Sequence, residues 1–184
     1  MNRSVGLAIC IAATVLGSGA PGANPANPYA GQESREIKAM SPEDVQSYLS
    51  GKGMGLAKAA ELNGYPGPSH VLALAAALEL SAGQREQTES LFRSMEAKAV
   101  SLGRPLIEEE RKLDRSFAER TVTPASLAQS LSRIGQLQAR VREAHIEAHL
   151  AQVAILTPEQ VVRYRVLRGY SDAAKTGGHA GHGH

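Results

Sequence analysis

Apolar residues recur every three or four positions along two long segments of the chain, residues 84–119 and 124–155. This spacing places the apolar side chains of each segment on one face of an α-helix. In the first segment the apolar positions are Phe92, Met95, Ala99, Leu102, Leu106, Leu113 and Phe117. In the second they are Leu127, Leu131, Ile134, Leu137, Val141, Ala144, Ala148, Ala151 and Ile155. Arg104-Pro105 predicts a kink within the first helix.

A short loop, residues 120–123, joins these two segments. Thr123 is placed to cap the second helix, and Pro124 suits its first position because the N–H that proline lacks has no helical partner there. Two long helices joined by a short loop pack antiparallel. We therefore expect an all-α fold, a long antiparallel helical hairpin with short flanking helices and disordered termini.

Two copies of one short pattern bracket the hairpin. The front copy is Leu80-Ser81-Ala82-Gly83-Gln84 and the back copy is Leu156-Thr157-Pro158-Glu159-Gln160. A hydroxyl residue followed three positions later by Gln is a capping box that starts a helix. The structural motif residues are Leu80, Ser81, Gln84, Leu156, Thr157 and Gln160. Pairing outward from the loop predicts that the two copies meet at the open end of the hairpin.

Shorter helices are predicted on both sides of the hairpin. The predicted segments are 42–49, 56–62, 69–80 and 158–170. Ser41 and Ser69 are the expected caps of the first and third of these. The third segment is almost entirely Ala and Leu, so we expect it to be buried. The glycines at 51, 53 and 55 match no phosphate-binding pattern and predict a hinge.

The first 23 residues have the layout of a secretory signal peptide. A short basic start, Met1–Arg3, precedes an apolar run, Val5–Leu16, and then small and turn-forming residues. The run is too short to span a membrane comfortably, so no stable membrane insertion is expected after cleavage. Cys10 lies inside it, which leaves no thiol in the mature chain. The expected location is the periplasm.

Composition divides the remaining chain into three regions. Residues 24–40 are rich in Pro, Gly and Asn and predict a flexible lead-in. Residues 41–170 form the predicted helical hairpin domain. Residues 171–184 are dominated by Gly and His and predict a disordered tail.

Several functional classes find no support in the residues. The formal charge of +2 does not indicate nucleic-acid binding, and no nucleic-acid partner is expected. The mature chain lacks a Cys nucleophile, a His-Glu-x-x-His motif and a glycine-rich phosphate loop. We therefore expect neither catalysis nor an organic cofactor.

The paired motifs, the helical hairpin and the signal-like start together resemble the Spy/CpxP superfamily of periplasmic proteins. The back motif matches the family's Leu-Thr-x-x-Gln pattern fully, whereas the front copy has Ser81 in place of Thr. The resemblance covers about residues 69–170, and residues 53–68 look like the periplasmic heavy-metal sensor branch. It implies a homodimer and one of three roles: an ATP-independent chaperone, an envelope-stress regulator, or a sensor of zinc or of nickel and cobalt.

His145 and His149 are the first candidate metal ligands. Their spacing of four places both imidazoles on one face of the second long helix, where they can chelate a divalent transition metal such as zinc, nickel, cobalt or copper. Antiparallel pairing brings Met95 or Glu96 opposite them, and a second subunit or the tail could complete the site. The alternative is an exposed polar edge with two incidental histidines.

The tail contains three further candidate ligands, His179, His182 and His184. In a glycine-rich segment they predict metal binding of modest affinity, because ordering the segment costs conformational entropy. The alternative is a solvated tail without a ligand. His70, just inside a predicted helix start, is expected to be structural.

Three functional hypotheses follow. The first is a periplasmic metal-binding sensor or modulator of an envelope or metal stress response, read by a membrane sensor kinase or an anti-sigma partner. The second is a holdase chaperone for unfolded envelope proteins. Interleaved arginines and acids on the long helices fit either a client-binding surface or simply solvated helix faces. The third is a lipid-surface protein that uses its amphipathic helices.

Overall fold

The computed structural model describes residues 28–170, so the predicted signal peptide and the Gly/His tail lie outside the described residues. Contacts place a boundary between two units after Glu33, so the described residues fall into 28–33 and 34–170. In the first unit, residues 28–33 form turns, and the side-chain amide of Gln32 donates a 2.9 Å hydrogen bond to the carbonyl of Pro28.

In the second unit, the regular secondary structure of residues 34–170 is entirely helical, which confirms the all-α prediction. The helices are α1 Pro42–Leu49, α2 Lys58–Leu62, α3 Pro68–Ala73, α4 Ala82–Ala118, α5 Pro124–Ile155 and α6 Pro158–Leu167. No helix within 28–170 combines the length and the apolar character that crossing a bilayer requires.

The hairpin of α4 and α5 forms the centre of this unit. Its apolar faces meet in a core cluster of Leu102, Leu106, Ile134, Leu137 and Val141. Thr123 starts α5 as predicted, because its side chain accepts a hydrogen bond from the backbone N–H of Ser126. Helix α4 continues through Pro105, so the proline does not end it.

Both bracketing motifs form capping boxes, which confirms their predicted structural role. Ser81 accepts from the backbone of Gln84, and Thr157 accepts from the backbone of Gln160. The two Gln side chains then bond to each other, with Gln84 Nε2 2.8 Å from Gln160 Oε1. Gln84 also donates to the carbonyl of Ile155 at 2.9 Å. The two motifs therefore cap their helices and hold the open end of the hairpin together.

The predicted helix over 69–80 is shorter than expected. Helix α3 ends at Ala73 and begins after Gly67, with Pro68 rather than a Ser69 cap at its start. The following residues form turns, and Glu79 adopts a positive φ of 53°. Burial explains the apolar composition nonetheless, because Val71 and Leu78 join Leu156 and Tyr164 in a second core cluster. Likewise, α2 begins at Lys58 rather than at residue 56, and α6 ends at Leu167 rather than at 170.

The end of the predicted flexible lead-in contacts α4, which differs from the expectation for residues 24–40. Ile37 and Met40 are buried against Ile107. The Lys38 ammonium lies 2.9 Å from the Asp114 carboxylate, and the Lys38 backbone N–H donates to the same side chain at 3.0 Å. Composition alone did not reveal these contacts because they depend on partners about seventy residues away in sequence.

Candidate metal-binding site

A pocket of about 450 Å³ lies beside the hairpin, between α4, α5 and the short helices that precede them. Its lining includes three imidazoles, two carboxylates and two thioethers. These side chains are His70, His145, His149, Glu61, Glu96, Met54 and Met95. Met95 and Glu96 on α4 therefore line the same pocket as the two α5 histidines, where antiparallel pairing predicted them.

His145 is almost completely buried, with 5% of its surface exposed. Its Nε2 atom has no hydrogen-bond partner among the described residues. Burial, together with the neighbouring charge of His149, holds the pKa of His145 below its ordinary value. The imidazole is therefore neutral near pH 7. Neutral imidazole is the form that binds a metal through a ring nitrogen.

His149 lies one helical turn further along α5 and has a defined tautomer. Its Nδ1 atom is 2.7 Å from the carbonyl oxygen of Tyr65. Since a carbonyl oxygen can only accept, Nδ1 is the donor in this hydrogen bond, and Nε2 is the ring nitrogen left to bind a metal. A backbone carbonyl that orients an imidazole in this way is a common feature of metal-ligating histidines.

Gly67 allows the chain to pass close to this imidazole. A Cβ at Gly67 would lie 2.8 Å from Cε1 and 2.9 Å from Nε2 of His149. Both distances are shorter than normal van der Waals contact, so only glycine fits here without displacing the ring.

Glu61, on α2, has only 7% of its surface exposed. Its Oε2 accepts from the backbone N–H of Gly67 at 3.2 Å and lies 3.7 Å from His149 Nδ1. Its Oε1 accepts from the Tyr164 hydroxyl at 2.5 Å and from the Tyr170 hydroxyl at 3.1 Å.

The protonation state of Glu61 follows from these contacts. Burial raises the pKa of the carboxyl. The tyrosine hydrogen bonds and the neighbouring imidazoles together lower the pKa by more than burial raises it, so the pKa of Glu61 lies below its ordinary value. Glu61 is therefore an anion at neutral pH. Sequence reasoning missed this residue, because an isolated acid in a five-residue helix reads as a surface position.

His70, predicted to be structural, also lies on the pocket. Its Nδ1 atom is 3.4 Å from Glu61 Oε1, a distance within ion-pair range, although it makes no hydrogen bond with acceptable geometry. Burial lowers the pKa of His70 more than the nearby Glu61 carboxylate raises it. The ring is partly exposed, with 43% of its side-chain surface accessible, so it lies at the mouth of the pocket.

The donor atoms of the pocket suit a divalent transition metal. Imidazole nitrogen and carboxylate oxygen bind zinc, nickel, cobalt and copper, and thioether sulfur favours the softer ions among them. The unpartnered Nε2 of buried His145 fits a ligand at this position. Within residues 28–170, however, no three His, Cys, Asp or Glu side chains are already arranged to hold a metal ion. Binding therefore requires side-chain movement or an additional donor, and the candidates His179, His182 and His184 lie outside the described residues.

Comparison with known proteins identifies one matching family. No curated protein and no solved structure matches the chain. A family model described as heavy-metal resistance matches residues 53–163, which is more than half of the 184 residues and includes the imidazoles, carboxylates and thioethers of the pocket. This family belongs to the Spy/CpxP-like all-helical group, so the match confirms the resemblance stated from the motifs. The chain is a member of the heavy-metal resistance family.

Proposed function

We propose that this protein is a non-catalytic, metal-binding sensor or modulator of an envelope or metal stress response. The observation that carries the proposal is the convergence of Glu61, His145 and His149 on one pocket, with His70 at its mouth. The family match indicates a role in heavy-metal resistance, and a set of metal-binding donor atoms fits that role.

Each pocket residue would contribute either a metal ligand or a contact that orients one. His145 and His149 would each offer Nε2, and Glu61 would offer its carboxylate. When bound, the metal supplies a localised positive charge between α2 and α5. The Tyr65 carbonyl keeps His149 oriented, and burial keeps His145 neutral and ready to bind. Zinc, nickel, cobalt and copper are the candidate ions, and no organic cofactor is needed.

The N-terminal pattern and the resemblance to the Spy/CpxP superfamily support a location and partners for this protein. The signal-like residues 1–23 support export to the periplasm. There the protein would act as a homodimer and pass its state to a membrane sensor kinase or an anti-sigma partner. The tail histidines would contribute additional binding of modest affinity.

Titration calorimetry with zinc and with nickel tests the metal site. The comparison uses the full-length chain, a His145→Ala/His149→Ala variant and a His179→Ala/His182→Ala/His184→Ala tail variant. We expect a site tighter than about 100 µM, about 5.5 kcal/mol of binding free energy, that the tail variant keeps and the α5 variant loses. Weaker binding by the full-length chain, or equal binding by the α5 variant, would contradict the proposal.

A holdase chaperone is the second candidate, favoured by apolar side chains that the long helices expose. Phe117, Leu131 and Leu150 have 55%, 52% and 54% of their surface accessible. Such residues beside arginines could hold unfolded segments of other proteins. Suppression of the aggregation of a reduced client protein tests this function. Replacement of Leu131 and Leu150 by Ser should reduce the suppression, whereas His145→Ala/His149→Ala should leave it unchanged.

A further inference from the structure

The Glu61 carboxylate connects the pocket to the C-terminal end of the described chain. Oε2 lies towards Gly67 and His149, whereas Oε1 receives the hydroxyls of Tyr164 and Tyr170 and also lies 3.4 Å from His70 Nδ1. The two tyrosines belong to α6 and to the turn that follows it. A single buried anion is therefore shared between the candidate metal site and the last helix.

The contacts on the α6 side are specific. Tyr164 is 1% exposed and packs with Val71, Leu78 and Leu156, so its hydroxyl has a fixed position. Tyr170 donates to Glu61 and in turn accepts a 2.9 Å hydrogen bond from Arg168 Nη2. The Arg168 guanidinium also lies 5.5 Å from the centre of the Tyr170 ring and 3.4 Å, through Nε, from Glu61 Oε1.

These contacts settle which carboxylate oxygen is available to the pocket. Oε1 lies within 3.4 Å of four groups, from Tyr164, Tyr170, Arg168 and His70. Oε2 accepts one backbone hydrogen bond and has the His149 ring as its other neighbour. An outer partner that fixes the orientation of a ligating carboxylate raises metal affinity, and its loss costs about 10- to 100-fold.

We propose that Tyr164 and Tyr170 are positioning residues for Glu61, and that pocket occupancy and the docking of α6 therefore stabilise each other. This inference rests on the proposed function, because it assumes that the pocket binds a metal. Coupling between two sites is reciprocal, so a docked α6 that strengthens metal binding is itself held more firmly when the metal is bound. A higher metal concentration therefore increases the stability of the C-terminal helix, and a signalling partner can detect this change.

Hydrogen–deuterium exchange combined with zinc titration tests this coupling. All proteins are full-length and contain the His179→Ala/His182→Ala/His184→Ala substitutions, so that zinc at the tail does not contribute. In this background, zinc should slow amide exchange in α6. Tyr164→Phe, which keeps the ring and removes only the hydroxyl, should weaken zinc affinity about tenfold and abolish the zinc-dependent slowing.

Tyr48→Phe is the matched control, because Tyr48 packs in the two other core clusters and does not contact Glu61. It should behave like the background protein in both measurements. Tyr170→Phe provides a second variant at a half-buried position if Tyr164→Phe fails to fold, and it should lower the affinity in the same direction. A merely structural role would lower stability without removing the response of α6 to zinc.

The possible failures are distinguishable. If the background binds zinc through His145 and His149 but α6 exchange does not respond, the coupling is wrong and the proposed function stands. If either Tyr→Phe variant binds zinc more tightly, the phenols compete with the metal for Glu61, and the sign of the coupling is wrong. If the background binds no zinc, the coupling fails, and if it binds no nickel either, the proposed function fails with it.

Discussion

At the scale of single residues, Gly103 on α4 lies directly against the C-terminal end of α1. A Cβ at this position would lie 2.5 Å from the Tyr48 carbonyl oxygen and 3.1 Å from its carbonyl carbon. Both are backbone atoms at the C-terminal end of α1, so the clash cannot be relieved by rotating a side chain. Helix propensity favours alanine over glycine, but here the steric effect opposes it.

We predict that Gly103→Ala destabilises the protein by about 1–3 kcal/mol, a cost typical of overpacking. Gly135→Ala is the matched control, because Gly135 is helical and exposed and its added Cβ would meet nothing within 4 Å. That substitution should stabilise the protein by roughly 0.5–1 kcal/mol. Urea unfolding followed by far-ultraviolet circular dichroism measures both, and an unchanged midpoint for Gly103→Ala would refute the prediction.

Residue patterns identified half of the candidate site. The spacing of four between His145 and His149 is a local signal, and helix geometry turns it directly into a shared face. Glu61 and His70 reach the same pocket only through tertiary structure, which brings Glu61 within 3.7 Å of His149 Nδ1. The nearest local clue was Gly67 at the start of α3, whose purpose depends on the position of His149.

At the scale of secondary-structure elements, the two capping motifs form one joint. Gln84 and Gln160 each accept a backbone hydrogen bond within their own capping box, and each side-chain amide also donates to the other Gln. Gln160 further donates to the carbonyl of Leu78 at 3.1 Å. The joint therefore connects the starts of α4 and α6 with the ends of the segments that precede them.

A double-mutant cycle should detect this joint. Gln84→Ala and Gln160→Ala should each cost about 1–2 kcal/mol, and the double variant should lose less than the sum, with a coupling of roughly 0.5–1.5 kcal/mol. The physical reason is that each substitution removes the same Gln–Gln hydrogen bonds. Gln87→Ala, at an exposed position on α4, should change stability by less than about 0.5 kcal/mol. Chemical denaturation gives all four values, and strict additivity would contradict a shared joint.

Helix starts that carry a capping box were predicted correctly, whereas the starts of α2 and α3, which lack one, were not. Ser41, Ser81, Thr123 and Thr157 were all identified as caps, and each accepts the expected backbone hydrogen bond. A start is encoded by a local pattern of one hydroxyl and one polar partner. The end of α3 at Ala73 has no such signal, because Ala and Leu continue to Leu80. The turns that follow place Leu78 beside Val71 and Tyr164 in one core cluster.

At the scale of the whole molecule, the hairpin could be predicted because its two halves are periodic and its loop is short. The attachment of residues 34–40 to α4 could not, since Ile37 and Met40 are isolated apolar residues in a polar segment. Their partner Ile107 lies about seventy residues further along the chain. Asp114 strengthens this attachment by pairing with Lys38, so it offers a means of measuring how much the segment contributes.

We predict that Asp114→Asn lowers stability by about 1 kcal/mol at pH 7, since asparagine keeps the shape and loses the charge. Burial raises the pKa of Asp114, but the hydrogen bonds from Lys38 lower it by a larger amount. The pKa of Asp114 therefore lies below its ordinary value. A carboxyl with a lowered pKa in the folded state contributes its full stabilisation above the pKa of the unfolded state, about 4. That stabilisation is lost as the pH falls through the pKa of the folded state.

The difference in stability between wild type and Asp114→Asn should thus be constant above about pH 5 and shrink towards zero at lower pH. Lys38→Ala should remove only part of this pH-dependent component, because the backbone N–H of residue 38 still donates to Asp114. Glu86→Gln, at an exposed position on α4, should leave the component in place. Urea unfolding at a series of pH values measures these differences, and a loss from Asp114→Asn that persists unchanged below the folded pKa would mean that packing, rather than charge, attaches residues 34–40 to α4.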